Sequence, residues 1–371
     1  MSAPRVSAFA VCTPGLEPIL LAELTKLGVR EPVARRGGVT CTATWPQVWS
    51  MNLQLRTATR VLVRVARFPA DGFGPLQAGL RRVDWAQWLP TDAALDLAVS
   101  ATGSRLYHLG AIEERVREVV PSGDGPVQEL YVRVVHDAVT ISLNASGDPL
   151  YRRGWRLAPA KAPLRETLAA AAVLAAGWDL KSPLVDPFCG SGTIPIEAAL
   201  LARRVPPGRH RSFAFETWPS FDAGRWARLL DAADADGLDR SIEIVGSDRD
   251  EGAVVAATAN AERAGVDDTV SFRRASISEL TLPGRRGWIV TNPPYGVRIG
   301  GGDVRDLFDR LRAVLRERAS GWHVGLVAGA GAPVERLGIV PTGEAVQTTN
   351  GGLPIRLVSA TVPTVAAPVR R

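Results

Sequence analysis

The chain has 371 residues, 44 Lys+Arg against 38 Asp+Glu, a net charge of +6 and 46% hydrophobic residues. Those fractions exclude a disordered chain, a collagen-like fibre and a disulfide mini-scaffold, and no uncharged apolar run reaches the ~18 residues of a membrane span. At about 150 residues per domain, the length suggests two or three domains. Cys12, Cys41 and Cys189 are odd in number and scattered, so they suit neither a disulfide framework nor a zinc site. Pro14, Glu17 and Pro18 interrupt the apolar N-terminus, which makes it a poor signal peptide. A reducing cytoplasm is the expected compartment. All but Lys26, Lys161 and Lys181 of the basic residues are Arg. Arg forks onto phosphate and stacks on bases, but a GC-rich genome gives the same bias, so charge alone names no partner. Residues 1–160 hold 18 basic and 14 acidic residues, and the remainder is nearer balance with 26 and 24.

In chain order, Ser7–Thr13 reads as a strand and Leu16–Leu27 as a helix ending at Gly28, a good C-cap. Gly38–Ala43 follows as a strand, Trp45–Leu55 as a helix and Arg60–Phe68 as an alternating strand. This order suits a small α+β domain. A helix near Gly74–Arg81, a strand Leu95–Thr102, a helix Gly110–Val119 and strands Glu129–His136 and Val139–Asn144 make a second unit. Trp45, Trp49, Trp85 and Trp88 read as core, with base stacking by one of them as the alternative. Past Pro149–Arg156 the pattern becomes regular strand–helix alternation. Helices are expected at Leu164–Ala176, Thr193–Arg203, Asp250–Ala264 and Val304–Arg316. Strands are expected at Pro183–Pro187, Ile242–Ser247, Val270–Arg274, Gly287–Thr291 and His323–Ala328. That repetition argues for a mostly parallel, doubly wound sheet. Residues 206–238, with Trp218, Phe221 and Trp226, read as an inserted helical decoration.

Three segments at successive strand ends carry chemistry. The first runs Asp186-Pro187-Phe188-Cys189-Gly190-Ser191-Gly192-Thr193, between a strand and a helix. Its glycines let backbone approach a ligand, and the helix start offers N–H donors. It is neither a dinucleotide fingerprint nor a phosphate loop, because Pro195 fills the third glycine position and no Lys follows the last glycine. The second is Asp248, placed to accept from ribose hydroxyls. The third is Asn292-Pro293-Pro294-Tyr295. Two prolines fix an extended turn, so the Asn292 carboxamide and the Pro293 carbonyl can hold an exocyclic amine while Tyr295 stacks on its base. Cys189 reads as a small buried neighbour.

Together these residues resemble the class I S-adenosylmethionine-dependent methyltransferases that act on amino nitrogens. Tyr151–Arg156, Ala162–Ala170, Asn260–Val266 and Asn350–Leu357 narrow the resemblance to the THUMP-containing RNA guanine-N2 methyltransferases, the RlmL/TrmN-like family. Thr13–Glu17 and Ser104–Ile112 are similar to that family in the N-terminal half. The resemblance implies an α/β chain with a ferredoxin-like domain at 1–68, a THUMP RNA-binding domain at 69–160 and a Rossmann-like methyltransferase domain with a mostly parallel seven-stranded sheet at 161–371. It implies S-adenosylmethionine as cofactor, no metal, and a monomer acting on RNA away from membranes. Asn292, Pro293 and Tyr295 would be catalytic. Asp186, Phe188, Gly190, Gly192, Thr193, Asp248, Ser276 and Asn292 would hold the cofactor. Arg105, Tyr107, His108, Arg152, Arg153 and Arg156 would meet RNA. One departure is plain. The family usually has an acid after the third strand, facing the adenine amine; here Arg274-Ala275-Ser276-Ile277 leaves Ser276 or main chain in its place. The expected product is N2-methylguanosine in 23S rRNA. The alternatives are tRNA, a noncatalytic RNA-binding or assembly factor, and glutamine or DNA-adenine methylation.

Overall fold

The computed structural model describes residues 4–157, 164–239, 242–294 and 304–364. They form two compact units. One gathers the stretch up to Cys12, Leu20–Leu150 and Arg211–Ala232; the other gathers Thr13–Ile19, Tyr151–His210 and the stretch from Ala233 on.

The first unit follows β1 (Arg5–Cys12), α1 (Glu17–Lys26, which straddles the division), β2 (Arg30–Arg35), β3 (Gly38–Thr44), α2 (Trp45–Gln54), β4 (Ala58–Pro69), α3 (Phe73–Arg81), β5 (Ala94–Thr102), α4 (Leu109–Arg117), β6 (Val127–Val135) and β7 (Ala138–Asn144). Its seven strands make one sheet in the order β2-β3-β1-β4-β7-β6-β5. Only β5 and β6 run parallel. The side-chain period of two sends Leu130, Val132 and Val134 of β6 and Val139, Ile141 and Leu143 of β7 into the core. β4 joins the halves of this unit: it pairs with β1 over Ala58–Val63 and with β7 over Leu62–Pro69. The exposed β2, buried at no position, has no apolar alternation for a sequence reading to find.

The second unit continues through α5 (Glu166–Ala175), β8 (Leu184–Asp186), α6 (Thr193–Ala202), α7 (Ala223–Ala235, most of which belongs to the first unit), β9 (Ile244–Asp248), α8 (Glu251–Ala264), β10 (Val270–Arg274), β11 (Trp288–Thr291), α9 (Val304–Arg318), β12 (His323–Gly329), β13 (Val340–Pro341), β14 (Val346–Asn350) and β15 (Leu353–Thr361). The sheet path is β10-β9-β8-β11-β12-β15-β13. Its first five strands are parallel. β15 runs antiparallel beside β12, and β13 and β14 share its far edge. The strand order therefore turns around between β8 and β11, the switch point where open α/β sheets bind ligands at the strands' carboxyl ends. Buried runs in α5 and α6, whose residues are nearly all covered, explain why these helices are apolar all round. Gly15, at φ +95°, shows the local constraint at the other end of the chain: an added Cβ would meet the Gln347 carbonyl at 1.8 Å.

The segment expected as an insertion is a 3-10 turn at Ala214–Thr217 followed by α7. Residues 211–232 belong to the first unit. Phe215 stacks near Trp49 at 6.0 Å and meets Trp226 edge-on at 5.3 Å. Trp218 packs edge-on against Trp45, and its Nε1 donates to Gln128 Oε1 at 2.7 Å. The Arg211 guanidinium donates to the carbonyls of Ser146, Asp148 and Pro149. Each such aromatic pair adds about 0.5–1.5 kcal/mol beyond the area it buries.

Candidate active site

The site grows from three strand ends. β8 ends at Asp186, which is fully buried. Its Oδ1 accepts from Thr291 Oγ1 at 2.5 Å and from the Phe188 N–H at 3.1 Å. Burial pushes its carboxyl up to about 7; the nearby Asp248 charge adds to the rise, and the two hydrogen bonds oppose it. After Asp186 the chain turns through Gly190 and Gly192, at φ +52° and +83°. At Gly192 a Cβ would strike the Phe272 ring and Ala257. At Gly190 it would meet nothing within 4 Å, so the loop opens to space there.

This loop is laced to its neighbours. The Gly190 N–H donates to Asp248 Oδ2 and the Asp250 N–H to Asp248 Oδ1, both at 3.0 Å. The Cys189 N–H donates to the Ser247 carbonyl. Burial pushes the Cys189 thiol well up, as suits an inert neighbour rather than a nucleophile. Phe188 packs against the core around β11, β12 and α9. Thr193 opens α6, and its hydroxyl accepts from Arg156 at 3.0 Å.

β11 delivers Asn292 and Pro293. Pro293 is buried and Pro294 exposed. Asn292 Oδ1 is buried and meets no donor among the described residues. An orphaned buried acceptor carries a desolvation cost, and one at a strand end beside Asp186 is placed to receive a ligand's N–H. Tyr295 lies outside the described residues. Ser276 caps the 3-10 turn Ile277–Glu279, with its hydroxyl donating to Glu279 Oε2 at 2.7 Å. That bond leaves the Ser276 lone pairs able to accept. The Ser276 hydrogen bonds hold the exposed Glu279 carboxyl below its usual range.

The RNA-facing expectations divide. Arg105, Tyr107 and His108 are exposed around the start of α4; Arg105 reaches Asp71 at 3.0 Å and the Tyr107 ring lies 4.2 Å from His108. Arg152 is exposed. Arg153 and Arg156 are corrections. Arg153 is buried in an ion pair with Glu197 at 3.2 Å. Arg156 is largely buried against Glu166 at 3.1 Å. Their guanidinium groups brace the second unit instead of facing a polyanion. Sequence reading also missed Asn260 as a positioning residue. It is fully buried on α8, and its Nδ2 donates to the Ser191 carbonyl at 3.0 Å, pinning the glycine loop. A polar residue amid the small apolar residues of that helix was the available signal.

The descriptions that match are "RMKL-like, methyltransferase domain" over residues 153–357 and "RlmL ferredoxin-like domain" over residues 7–62. The chain belongs to the RMKL-like methyltransferase family. Among its relatives is slr0064 of Synechocystis, named as a candidate RNA methyltransferase, 30% identical over 94% of this chain and 95% of that protein. Another is the ribosomal RNA large subunit methyltransferase K/L of Syntrophotalea carbinolica, 35% identical over 97% of this chain. The chain spans about half the length of that and similar K/L relatives, 54% in this case. Several solved structures cover nearly all of this chain, two of them as follows. SMU.472, described as a candidate methyltransferase complexed with SAH, superposes with a TM-score of 0.89 at 26% identity, covering 99% of this chain and 100% of that one. A Listeria monocytogenes protein described as a predicted N6-adenine-specific DNA methylase gives 0.88 at 30% identity, covering 95% and 96%. As an RMKL-like methyltransferase, the chain places the glycine loop of its family domain at the sheet's switch point. Among the described residues, no three His, Cys, Asp or Glu side chains gather as metal ligands, and no helix is long and apolar enough to cross a membrane.

Proposed function

We propose that this methyltransferase uses S-adenosylmethionine to methylate N2 of a guanosine in large-subunit ribosomal RNA. The observation that carries it is the buried Oδ1 of Asn292, which has no partner among the described residues. When bound, the cofactor supplies an electrophilic methyl on a sulfonium. Asp186 and the Gly190–Gly192 turn suit its methionine part, and Asp248 its ribose. Asp248 already spends acceptor capacity on two loop N–H groups, so it holds loop and sugar together. Ser276, its hydroxyl proton given to Glu279, accepts from the adenine amine in place of the usual acid. Thr193 contributes through the helix start, since its hydroxyl is taken by Arg156.

Asn292 Oδ1 and the Pro293 carbonyl accept the two N–H bonds of the guanine amine. That orients the nitrogen lone pair and stabilises the positive charge that develops on nitrogen as it gains a methyl. Tyr295 stacks on the base, which leaves its own stack to enter. Residues 1–68 serve as a ferredoxin-like domain and 69–160 as a THUMP domain gripping RNA by backbone and shape, with 161–371 as the catalytic domain. Arg105, Tyr107, His108 and Arg152 are the RNA contacts retained. The chain acts as a cytoplasmic monomer without a metal.

The test is incubation with methyl-labelled cofactor and separate rRNA, tRNA, DNA and release-factor preparations, then nucleoside analysis. Label in N2-methylguanosine of rRNA is expected. Label confined to DNA or protein overturns the assignment, label in tRNA moves the substrate, and cofactor binding without transfer favours an assembly factor. Asn292→Ala should cut transfer at least 100-fold, the scale of losing a positioned polar group, while S-adenosylhomocysteine still binds.

A further inference from the structure

The helices of the first unit cover one face of its sheet. Phe68 of β4 lies on that face, against Gly79 of α3, with Val139 opposite it on β7. The other face carries three arginines in a compact array. Arg64 of β4 lies in register with Ser142 of β7 and through it with Tyr131 of β6. Arg67 lies in register with Thr140 and through it with Arg133. Arg64 and Arg67 are three residues apart, a spacing that would put them on opposite faces of a regular strand. The register shift between Arg64 and Ala66 inserts one extra residue and returns Arg67 to Arg64's side. Strands two apart are about 10 Å distant, so Arg67 and Arg133 bracket a gap of that order.

No ion pair occupies these three groups among the described residues. The acid nearest in register, Glu129, is held by Arg60 at 3.5 Å, by Asn144 and by the Tyr131 hydroxyl. Arg64 rests over the Phe9 ring at 5.7 Å. Its pKa is lowered by burial first, and then by the charges of Arg67 and Arg133. The array therefore concentrates repelling cations without an internal counterion, an arrangement relieved by an external polyanion. Arg67 and Arg133 are exposed. Arg67 also lines a cleft of about 420 Å³ with Arg82, Asp84, Gln87 and Trp88, beside the stretch of β4 that pairs with β7 alone.

We propose that the open face of the N-terminal sheet, through Arg64, Arg67 and Arg133, is a docking surface for consecutive phosphates of the RNA substrate. The proposal rests on the RNA-methyltransferase assignment above and adds a surface separate from the Arg105–His108 corner. Phosphate contacts position a nucleic acid without reading its sequence.

The test is a salt titration. Wild-type chain, Arg67→Glu/Arg133→Glu and Arg67→Lys/Arg133→Lys are titrated with a labelled rRNA fragment across KCl concentrations, with steady-state methyl transfer measured in parallel. Each phosphate contact contributes about 0.7 to the slope of log K against log salt for a single strand. The charge-reversed pair should lose about 1.4 in slope and bind roughly tenfold more weakly at 0.1 M salt. KM for RNA should rise with kcat and S-adenosylhomocysteine binding unchanged, and the lysine pair should restore the slope. An unchanged slope and KM in the charge-reversed pair overturns the surface. A lost slope in a wild-type-like fold with no methyl transfer by any variant supports the surface and overturns the catalytic assignment alone. Failure of the wild type to bind RNA overturns both.

Discussion

Asp186 and Asn292 hold opposite kinds of tension in one site. Asp186 is a buried acid whose proton is unusually hard to remove; Asn292 is a buried acceptor that meets no donor among the described residues. The Asp186 folded-state pKa of about 7 lies above its ordinary 3.8. Between those values the native state keeps a proton that the unfolded chain has lost. Its contribution to stability is therefore full below 3.8 and declines as pH rises toward 7. Denaturant unfolding between pH 4.5 and 8 should show this decline in the wild type and a shallower one in Asp186→Asn; parallel curves would remove Asp186 as the source. The residues of this site were legible because their types and order are peculiar: an acid and two glycines at one strand end, an acid at the next, Asn-Pro-Pro at a third. The roles of Arg153 and Arg156 were not. Arg beside Tyr and Trp reads as a polyanion surface, and only the fold shows that Glu197 and Glu166 have turned them inward.

Elements inherit their stability from such inward pairs and from their caps. The Arg153–Glu197 pair has side chains 1% and 0% exposed. Arg153→Ala strands the Glu197 charge and should cost about 3–5 kcal/mol, whereas replacing both partners with Met and Leu should cost far less. Equal losses in denaturant titration would mean that packing, not charge, sets the cost. At α8, Asp250 Oδ1 accepts from the Gly252 and Ala253 N–H groups. Asp250→Ala should cost about 1 kcal/mol by the same measurement. Most elements were legible because apolar period matched partner: period two along β6 and β7, continuous apolar runs for β8 and β11. β2 and the β13–β15 edge escaped. β2 is buried at no position and so lacks the alternation of a half-buried strand, while Pro341 and Pro354 punctuate the other edge, where β15 alternates only from Ile355 on.

At the scale of the whole molecule, the two units are not two consecutive stretches of chain. Residues 211–232 leave the catalytic half of the sequence and complete the first unit's core. Their aromatic content was visible in the sequence, but their destination was not, because Trp45 and Trp49 lie more than 150 positions away. Phe215→Ala should cost about 3–5 kcal/mol and alter the tryptophan fluorescence of Trp49 and Trp226; a loss within 1 kcal/mol would show the cluster to be peripheral. A chain ending at Leu150 should likewise bind hydrophobic dyes, and a 211–232 peptide supplied in trans should suppress that binding. The same arrangement sets a timetable during synthesis. At 5–20 residues per second, the ribosome needs roughly 4 to 16 seconds to travel from Leu150 to Ala232. For that interval the N-terminal sheet must wait, its aromatic socket uncovered, for a plug that is still being translated.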